Sequence, residues 1–269
     1  RVAVVAGSEA YTGAAYLSAA AALRSGAGYT FLFLPEKILP SFVLRLPEVL
    51  LSPLGKGDRV SFSETEFEKL LPFSAVAFGM GTGVSEDVFQ GVCYLLKEYT
   101  GRLLLDADAL NSLAKYGRDR LSEIFENKKC DVLLTPHIKE FSRLTGKEIS
   151  EILAAGLDAP KEFAEKYGVT VVLKDSNTVI ATPKRELFIN SNGNSGLAKG
   201  GSGDVLSGIL TALLCQRNRL STSLSTSALA AYGVLIHALA GLRAEKRFGA
   251  NCSTPQALID AIRLDDKEL

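Results

Sequence analysis

Asp204 is the acidic residue most sharply framed by its neighbours. In LAKGGSGDVLSGIL (Leu197 to Leu210), Gly200, Gly201, Ser202 and Gly203 precede it and an apolar helical pattern follows. Consecutive glycines can turn backbone N–H groups toward one point, and the following helix adds the positive end of its dipole. Such a concavity suits a phosphate or a developing oxyanion. The segment equally reads as a tight turn with Asp204 capping the helix. Neither G-x-x-x-x-G-K-[ST] nor a strand-to-helix G-x-G-x-x-G occurs, which disfavours a P-loop NTPase and a simple dinucleotide fold.

Further polar clusters carry candidate chemistry. LLLDADALNSL (Leu103 to Leu113) places Asp106, Asp108 and Asn111 after a strand, a set that could hold a metal or a phosphate-bound Mg²⁺ or could end a strand and cap a helix. In LTPHIKEFSRLTG (Leu134 to Gly146), His137 and Glu140 fall on one face of a starting helix, as site residues or as ordinary first-turn groups favoured by the dipole. VVLKDSNTVIATP (Val171 to Pro183) sets Lys174 at a strand end before a polar turn, which reads as a nucleotide clamp or as a plain hairpin. VVAGSEAYTGAA (Val4 to Ala15) and FGMGTG (Phe78 to Gly83) add two glycine turns, each a weak signal alone.

These residues need a frame that brings strand ends together. Strands are expected at 2–7, 29–34, 75–79, 102–106, 131–135 and 169–174, with 178–182 and 186–190 at hairpin spacing. Amphipathic helical stretches lie between them at 13–26, 84–99 and 159–168. Several central strands are apolar on both faces, as in covered parallel sheets. Repeated β-then-α order predicts an α/β fold, a three-layer α/β/α sandwich with a mainly parallel central sheet. Beyond residue 190 the pattern is helical, with VLSGILTALLCQ, a long helix from Ser223, and TPQALIDAIRL. No linker or internal repeat divides the chain, so one domain over 1–269 is expected. In open α/β sheets ligands bind beyond the carboxyl ends of the strands, where the glycine-rich and polar residues cluster.

Composition narrows the function classes. The 269 residues are 47% hydrophobic and 22% charged, with 30 basic side chains against 30 acidic ones. No global field then favours nucleic acid or an anionic membrane. Cys93, Cys130, Cys215 and Cys252 lack metal-ligand or disulfide-framework spacing, so reduced core thiols in a cytoplasmic protein are expected. The apolar run from Ala228 to Leu242 contains His237 and is shorter than a bilayer span, which makes it a core helix rather than a membrane segment. The first residues read as a strand and not as a signal peptide. With Arg1 directly before that strand, the chain is expected to be a segment of a longer product.

Taken in order, VVAGSEAYTGAA, GMGTG, LDADALN, LTPHIKEFSRL, LKDSNTVIATP and NSGLAKGGSGDVLSGIL resemble the NAD(P)H-hydrate dehydratase family of the ribokinase-like superfamily. The resemblance spans nearly the whole chain. LDADALN and LTPHxxEF are its more specific motifs, whereas G-x-G-D is shared across the superfamily. It implies dehydration of hydrated NADH or NADPH (NADHX, NADPHX) back to the reduced cofactor, coupled to hydrolysis of ADP, the expected nucleotide, or of ATP. By resemblance Asp204 is the general base, and the amides of Gly201, Ser202 and Gly203 form the anion hole. The nucleotide contacts fall on Lys174, Asp175, Ser176, Asn177 and Thr178 and at Gly203. The hydrated cofactor lies against Ala14, Gly81, Gly83, His137 and Asp204. Glu140 helps organise Mg²⁺, indirectly. Relatives are homotetramers, and many bacterial ones carry a fused NAD(P)H-hydrate epimerase, of which this chain would be the dehydratase half. Lys199 stands where many relatives have a small or hydroxylated residue, as a phosphate contact or a solvated side chain. Asp175 replaces the glycine common after the lysine. A vitamin or sugar kinase of the same superfamily, and a non-catalytic nucleotide-sensing module, are the alternative readings.

Overall fold

Short runs of β-branched and leucine side chains, apolar on both faces, form the strands that lie deepest. In the computed structural model, which describes residues 1–216 and 224–264, these are β1 (Val2–Val5), β4 (Ala75–Phe78), β5 (Arg102–Leu105) and β6 (Asp131–Leu134). They are joined by β2 (Thr30–Leu34), β3 (Leu50–Pro53), β7 (Thr170–Leu173), β8 (Thr178–Ala181) and β9 (Leu187–Asn190). The nine strands make one sheet in the order β3-β2-β1-β4-β5-β6-β7-β8-β9. All pairings from β3 to β7 are parallel, and β8 and β9 return antiparallel. This is the three-layer, mainly parallel sandwich expected from the sequence. Only β3 had no counterpart among the expected strands. It is a partly exposed edge strand that ends in Pro53, and proline is tolerated at an edge because no ladder donor is needed there.

The helices are α1 (Thr12–Arg24), α2 (Glu64–Glu68), α3 (Glu86–Glu98), α4 (Asp108–Gly117), α5 (Leu121–Glu126), α6 (Ile138–Thr145), α7 (Ile149–Ala155), α8 (Asp158–Tyr167), α9 (Ser202–Cys215), α10 (Thr226–Phe248) and α11 (Pro255–Asp260). One face of the sheet, with Ala3, Val5, Val76 and Leu103, packs on Phe67, Val92, Leu113, Phe141 and Phe163 from the middle helices. The other face, with Val2, Val4, Ala75 and Leu104, packs on Ala15, Ala19, Leu206, Leu210 and Val234 from α1, α9 and α10. The long C-terminal helix starts at Thr226, and its expected beginning at Ser223 lies outside the described residues. By length and composition α10 could cross a bilayer, but most of its apolar stretch is buried inside the protein. All four cysteines are free thiols.

The order of strands fixes where a site can form. β1 pairs with β2 on one side and β4 on the other, so the crossovers run in opposite directions from this point. Such a switch leaves a crevice at the carboxyl ends of the strands. There Gly7 donates to the Met80 carbonyl at 2.8 Å, and Asp108 donates its N–H to the Gly79 carbonyl at 3.1 Å. Gly79 sits at φ 124°, and a Cβ there would run into the Asp106 carbonyl. The missing side chain lets the β4 and β5 loops close on each other.

Candidate active site at the carboxyl edge of the sheet

A charged cluster stands where β5, β6 and β7 end. Asp106 is buried, and its two carboxylate oxygens are both engaged: Lys174 Nζ donates to Oδ1 at 2.8 Å and Ser207 Oγ donates to Oδ2 at 2.7 Å. Parallel pairing of β6 with β7 brings the two loops together, and the Lys174 N–H donates to the Pro136 carbonyl at 2.8 Å. Burial acts against the Lys174 ammonium, but Asp106, Glu140 and Asp204 together outweigh it and raise its pKa. Lys174 thus stays charged as the central cation of an acidic neighbourhood.

His137 is the N-cap of α6. Its Nδ1 accepts from the N–H groups of Lys139 and Glu140 at 3.1 and 3.2 Å, and its own N–H donates to Glu140 Oε2 at 2.9 Å. The two side chains therefore form a reciprocal capping box. An accepting Nδ1 leaves the proton on Nε2, which lies 3.4 Å from Glu140 Oε1. Burial and then Lys174 lower the His137 pKa, so the ring is neutral. Burial raises the Glu140 carboxyl to about 7, with Asp106 adding to it and Lys174 opposing it.

Asp204 occupies the first turn of α9, two residues after the helix starts at Ser202. Gly201 takes the cap position at φ 95°, so the aspartate is not the cap. A Cβ on Gly201 would stand 2.6 Å from Leu17 Cδ1 and 3.0 Å from Pro255 Cγ. Glycine is therefore required there both by conformation and by space. The Asp204 carboxylate makes no hydrogen bond among the described residues. Burial first, then the negative charges of Asp106, Asp108 and Glu140, push it to about 7 against the pull of Lys174.

A cleft of about 750 Å³ opens beside this cluster. Lys174, Asp175, Ser176 and Thr178 of the β7–β8 turn, Ser202 and Gly203 of α9, and Asn194, Leu197 and His237 are among the residues that line it. Of the turn expected to contact nucleotide, Asn177 points to solvent and is not part of the lining. The Ser202 N–H is turned back onto the Lys199 carbonyl at 3.1 Å. This corrects its expected place in an anion hole, because an amide closing a tight turn has no proton left for a ligand. Ser202 offers the cleft its hydroxyl instead, and the early N–H groups of α9 at Gly203 and Asp204 have no acceptor within the helix.

The residues expected to hold a second ligand gather elsewhere on the same edge. A Cβ on Gly81 would lie 2.7 and 2.9 Å from the Cβ atoms of Tyr11 and Ala14, so the β4 turn rests on the start of α1. Gly83 lines a smaller hollow of about 310 Å³ with Ser8, Tyr11, Arg59 and Thr82. Its N–H donates to Asp108 Oδ2 at 2.8 Å. Asp108 thereby ties the two regions together, since it also acts on Asp204. His137 is the exception and faces the larger cleft.

Of the three polar residues of LDADALN, Asp106 accepts from Lys174, Asp108 accepts from the Gly83 N–H and lies beside Asn111, and Asn111 accepts from Arg143 at 2.8 Å. Among the described residues no three His, Cys, Asp or Glu side chains are gathered as for a metal. Ala107 between the two aspartates has φ 50° and ψ −113°, backbone strain of the kind held at functional sites. Lys199 Nζ donates to the Asn251 carbonyl at 2.6 Å, which ties down the turn before α11. Two participants escaped the sequence reading. Ser207 and His237 are buried polar residues inside apolar helical runs, and that burial-with-polarity was their only signal.

The profile of the NAD(P)H-hydrate dehydratase family matches residues 2–264. The chain belongs to this family. The bifunctional NAD(P)H-hydrate repair enzyme Nnr of Thermofilum pendens is 37% identical over 248 residues, covering 90% of this chain and 45% of that one. The chain thus spans about half the length of the bifunctional relatives it matches. The ADP-dependent (S)-NAD(P)H-hydrate dehydratase of Bacillus subtilis is 34% identical over 214 residues, 79% of this chain and 71% of that one. A solved structure of the Bacillus subtilis ADP/ATP-dependent NAD(P)H-hydrate dehydratase, co-crystallised with ATP and Mg²⁺, superposes with a TM-score of 0.78 at 29% identity, covering 97% of this chain and 86% of that one. This dehydratase-family chain therefore shares both sequence and fold with those enzymes. Its polar cluster lies on the strand edge where the fold places ligands.

Proposed function

We propose that the chain is an ADP-dependent NAD(P)H-hydrate dehydratase that returns hydrated NADH or NADPH to the reduced cofactor. The observation that carries this reading is Asp204, a carboxylate on the first turn of α9 with no hydrogen bond among the described residues and a pKa raised to about 7. A general base works best when its pKa is close to the operating pH. The cleft of about 750 Å³ takes the nucleotide, with its phosphates toward Ser202, Gly203 and Lys174. The hydrated ring enters from the side of Ala14, Gly81 and Gly83, so that its hydroxyl meets Asp204.

In this scheme Asp204 removes the hydroxyl proton as that oxygen attacks the terminal phosphorus of ADP. A new P–O bond forms, the bridging P–O bond breaks, and AMP leaves with the electron pair. The α9 amides and the Lys174 ammonium face the charge that builds on the transferred group. The ring nitrogen's lone pair then expels phosphate from carbon, and loss of a proton from the neighbouring carbon restores the dihydronicotinamide. Lys174 stands amid Asp106, Asp108, Glu140 and Asp204, so acidic groups outnumber it there and a polyphosphate entering the site needs further positive charge. A Mg²⁺ carried on the phosphates fits, since Mg²⁺ binds through few carboxylates plus substrate phosphates. Glu140, committed to His137 but with lone pairs left, would hold it through water. When bound, the ion would neutralise phosphate charge.

The proposal takes the chain as one dehydratase domain, a homotetramer, working with an NAD(P)H-hydrate epimerase as fused or separate partner. The four free thiols fit a reducing compartment, and we place it in the cytoplasm. The test is incubation with NADH hydrate and ADP or ATP while NADH absorbance is followed. Recovery of NADH with release of AMP from ADP is expected. No recovery with either nucleotide, or stoichiometric phosphorylation of a sugar or vitamin alcohol instead, overturns the reading.

A further inference from the structure

His237 lies mid-way along α10 and is buried, yet it reaches the start of α9. Its Nε2 is 3.0 Å from the Ser202 carbonyl and 3.1 Å from Ser202 Oγ. A carbonyl oxygen can only accept. An unprotonated Nε2 at that distance would set lone pair against lone pair, so Nε2 carries the hydrogen. The Ser202 hydroxyl oxygen then faces a donor and accepts from it. Its own proton must point elsewhere, and no acceptor for it exists among the described residues. Ser202 is 5% exposed, and the open direction is the cleft that Ser202, Gly203 and His237 all line.

We infer that His237 is a positioning residue that turns the Ser202 hydroxyl proton outward, making that hydroxyl a donor to the phosphoryl group at the mouth of α9. The inference rests on the dehydratase reading in taking the anion to be a nucleotide phosphate. It also fits the Ser202 N–H being spent on the Lys199 carbonyl, since the hydroxyl then supplies the donor that the amide does not. Burial, reinforced by Lys174, holds His237 neutral with its pKa pushed down to about 4. The ring therefore keeps one N–H throughout the working pH range and never adds a charge that would compete for the phosphate. A buried histidine of this kind fixes a hydrogen-bond direction rather than moving a proton.

The experiment is calorimetric titration of the full chain with ADP and with adenosine, in wild type, His237→Leu, His237→Gln, Ser202→Ala and the Ser202→Ala/His237→Leu double variant. A hydrogen bond to a charged group contributes enough that its loss weakens binding on the order of tenfold or more. His237→Leu and Ser202→Ala are each expected to lose about that much affinity for ADP while adenosine binding stays within about twofold. Gln can present an N–H close to the place of Nε2, so His237→Gln is expected to recover most of the loss. The double variant is expected to bind no more weakly than Ser202→Ala alone, because the two residues act through one proton. Undiminished ADP affinity in Ser202→Ala, equal losses for ADP and adenosine, or losses that multiply in the double variant each overturn the inference. Ser202→Ala decides the point even if His237→Leu does not fold. Wild-type protein that fails to bind ADP overturns the nucleotide reading itself, which separates the two failures.

Discussion

Replacing Asp204 by asparagine is expected to abolish turnover and to make the protein more stable. The carboxyl titrates at about 7 in the fold against an ordinary 3.8. The native state therefore prefers the protonated form, and ionising it costs stability. Below the ordinary value both states are protonated and there is no cost. Between the two values the unfolded chain ionises first and the cost grows; above the folded value it is constant. At about 1.4 kcal/mol per tenfold change in proton affinity, the full difference is about 4 kcal/mol. The side chain is only partly buried, so solvent screens some of this, leaving about 2–4 kcal/mol for Asp204→Asn at pH 8. In a chain of this size that corresponds to a rise in Tm of roughly 4–10 °C. Asparagine keeps the shape and cannot ionise, and Lys174 retains Asp106 as its hydrogen-bonded partner. Thermal or urea unfolding at pH 8 and pH 4, beside the hydrate assay, gives the comparison. Loss of activity by about 100-fold or more is expected from removing a general base. A gain in stability that is absent at pH 8, or equally large at pH 4, would refute the claim that an ionised, strained carboxylate waits at the head of α9.

Lys174→Met removes the cation paired with buried Asp106, and leaving a buried charge without its partner is expected to cost about 3–5 kcal/mol in urea unfolding. The acid limb of kcat/KM is expected near pH 7, where the Asp204 and Glu140 carboxyls both titrate. Glu140→Gln, which can still accept from the His137 N–H, should leave a single ionisation in that limb, displaced to lower pH because one negative neighbour of Asp204 is gone. An unchanged two-step limb would count against Glu140 acting on Asp204. Gly201→Ala forces a side chain into the left-handed region and against Leu17 and Pro255. The expected loss is about 2–3 kcal/mol, with weaker ADP binding measured by calorimetry.

Much of the fold was legible because its strands carry two-sided apolar runs bounded by glycine and proline, and that pattern has one physical outcome, a covered parallel sheet. Eight of the nine strands in this sheet were expected, the central ones from that pattern and β8 and β9 from their hairpin spacing. The ninth, β3, was not, because a partly exposed edge strand ending in proline lacks that signature. The site was legible as loops but not as contacts. Lys174 and Asp106 stand 68 residues apart in sequence, and either could have met other partners. What joins them is the register of β5, β6 and β7, which only the folded sheet sets. Asp108, open in the sequence between a metal-site and a capping reading, holds the Gly83 turn. Ser207 and His237 carry no motif of their own, and their meaning comes from the polar atoms they face across the core.

That difference between loops and contacts explains how the site can be both strained and durable. Lys174 is held between Asp106 and the negative field of Glu140 and Asp204, while Asp106 is locked from its other side by Ser207 on α9. The strand edge and α9 are thus joined through one buried carboxylate. Asp204 has no such lock. It rides on the same helix, three residues from Ser207, positioned by its backbone alone. Fixing a helix by Asp106–Ser207 at one residue and by Ser202–His237 at another leaves the carboxylate between them placed by its backbone and without a hydrogen bond among the described residues. A carboxylate so placed keeps its lone pairs available to a substrate proton within hydrogen-bond reach, as the proposed general base needs.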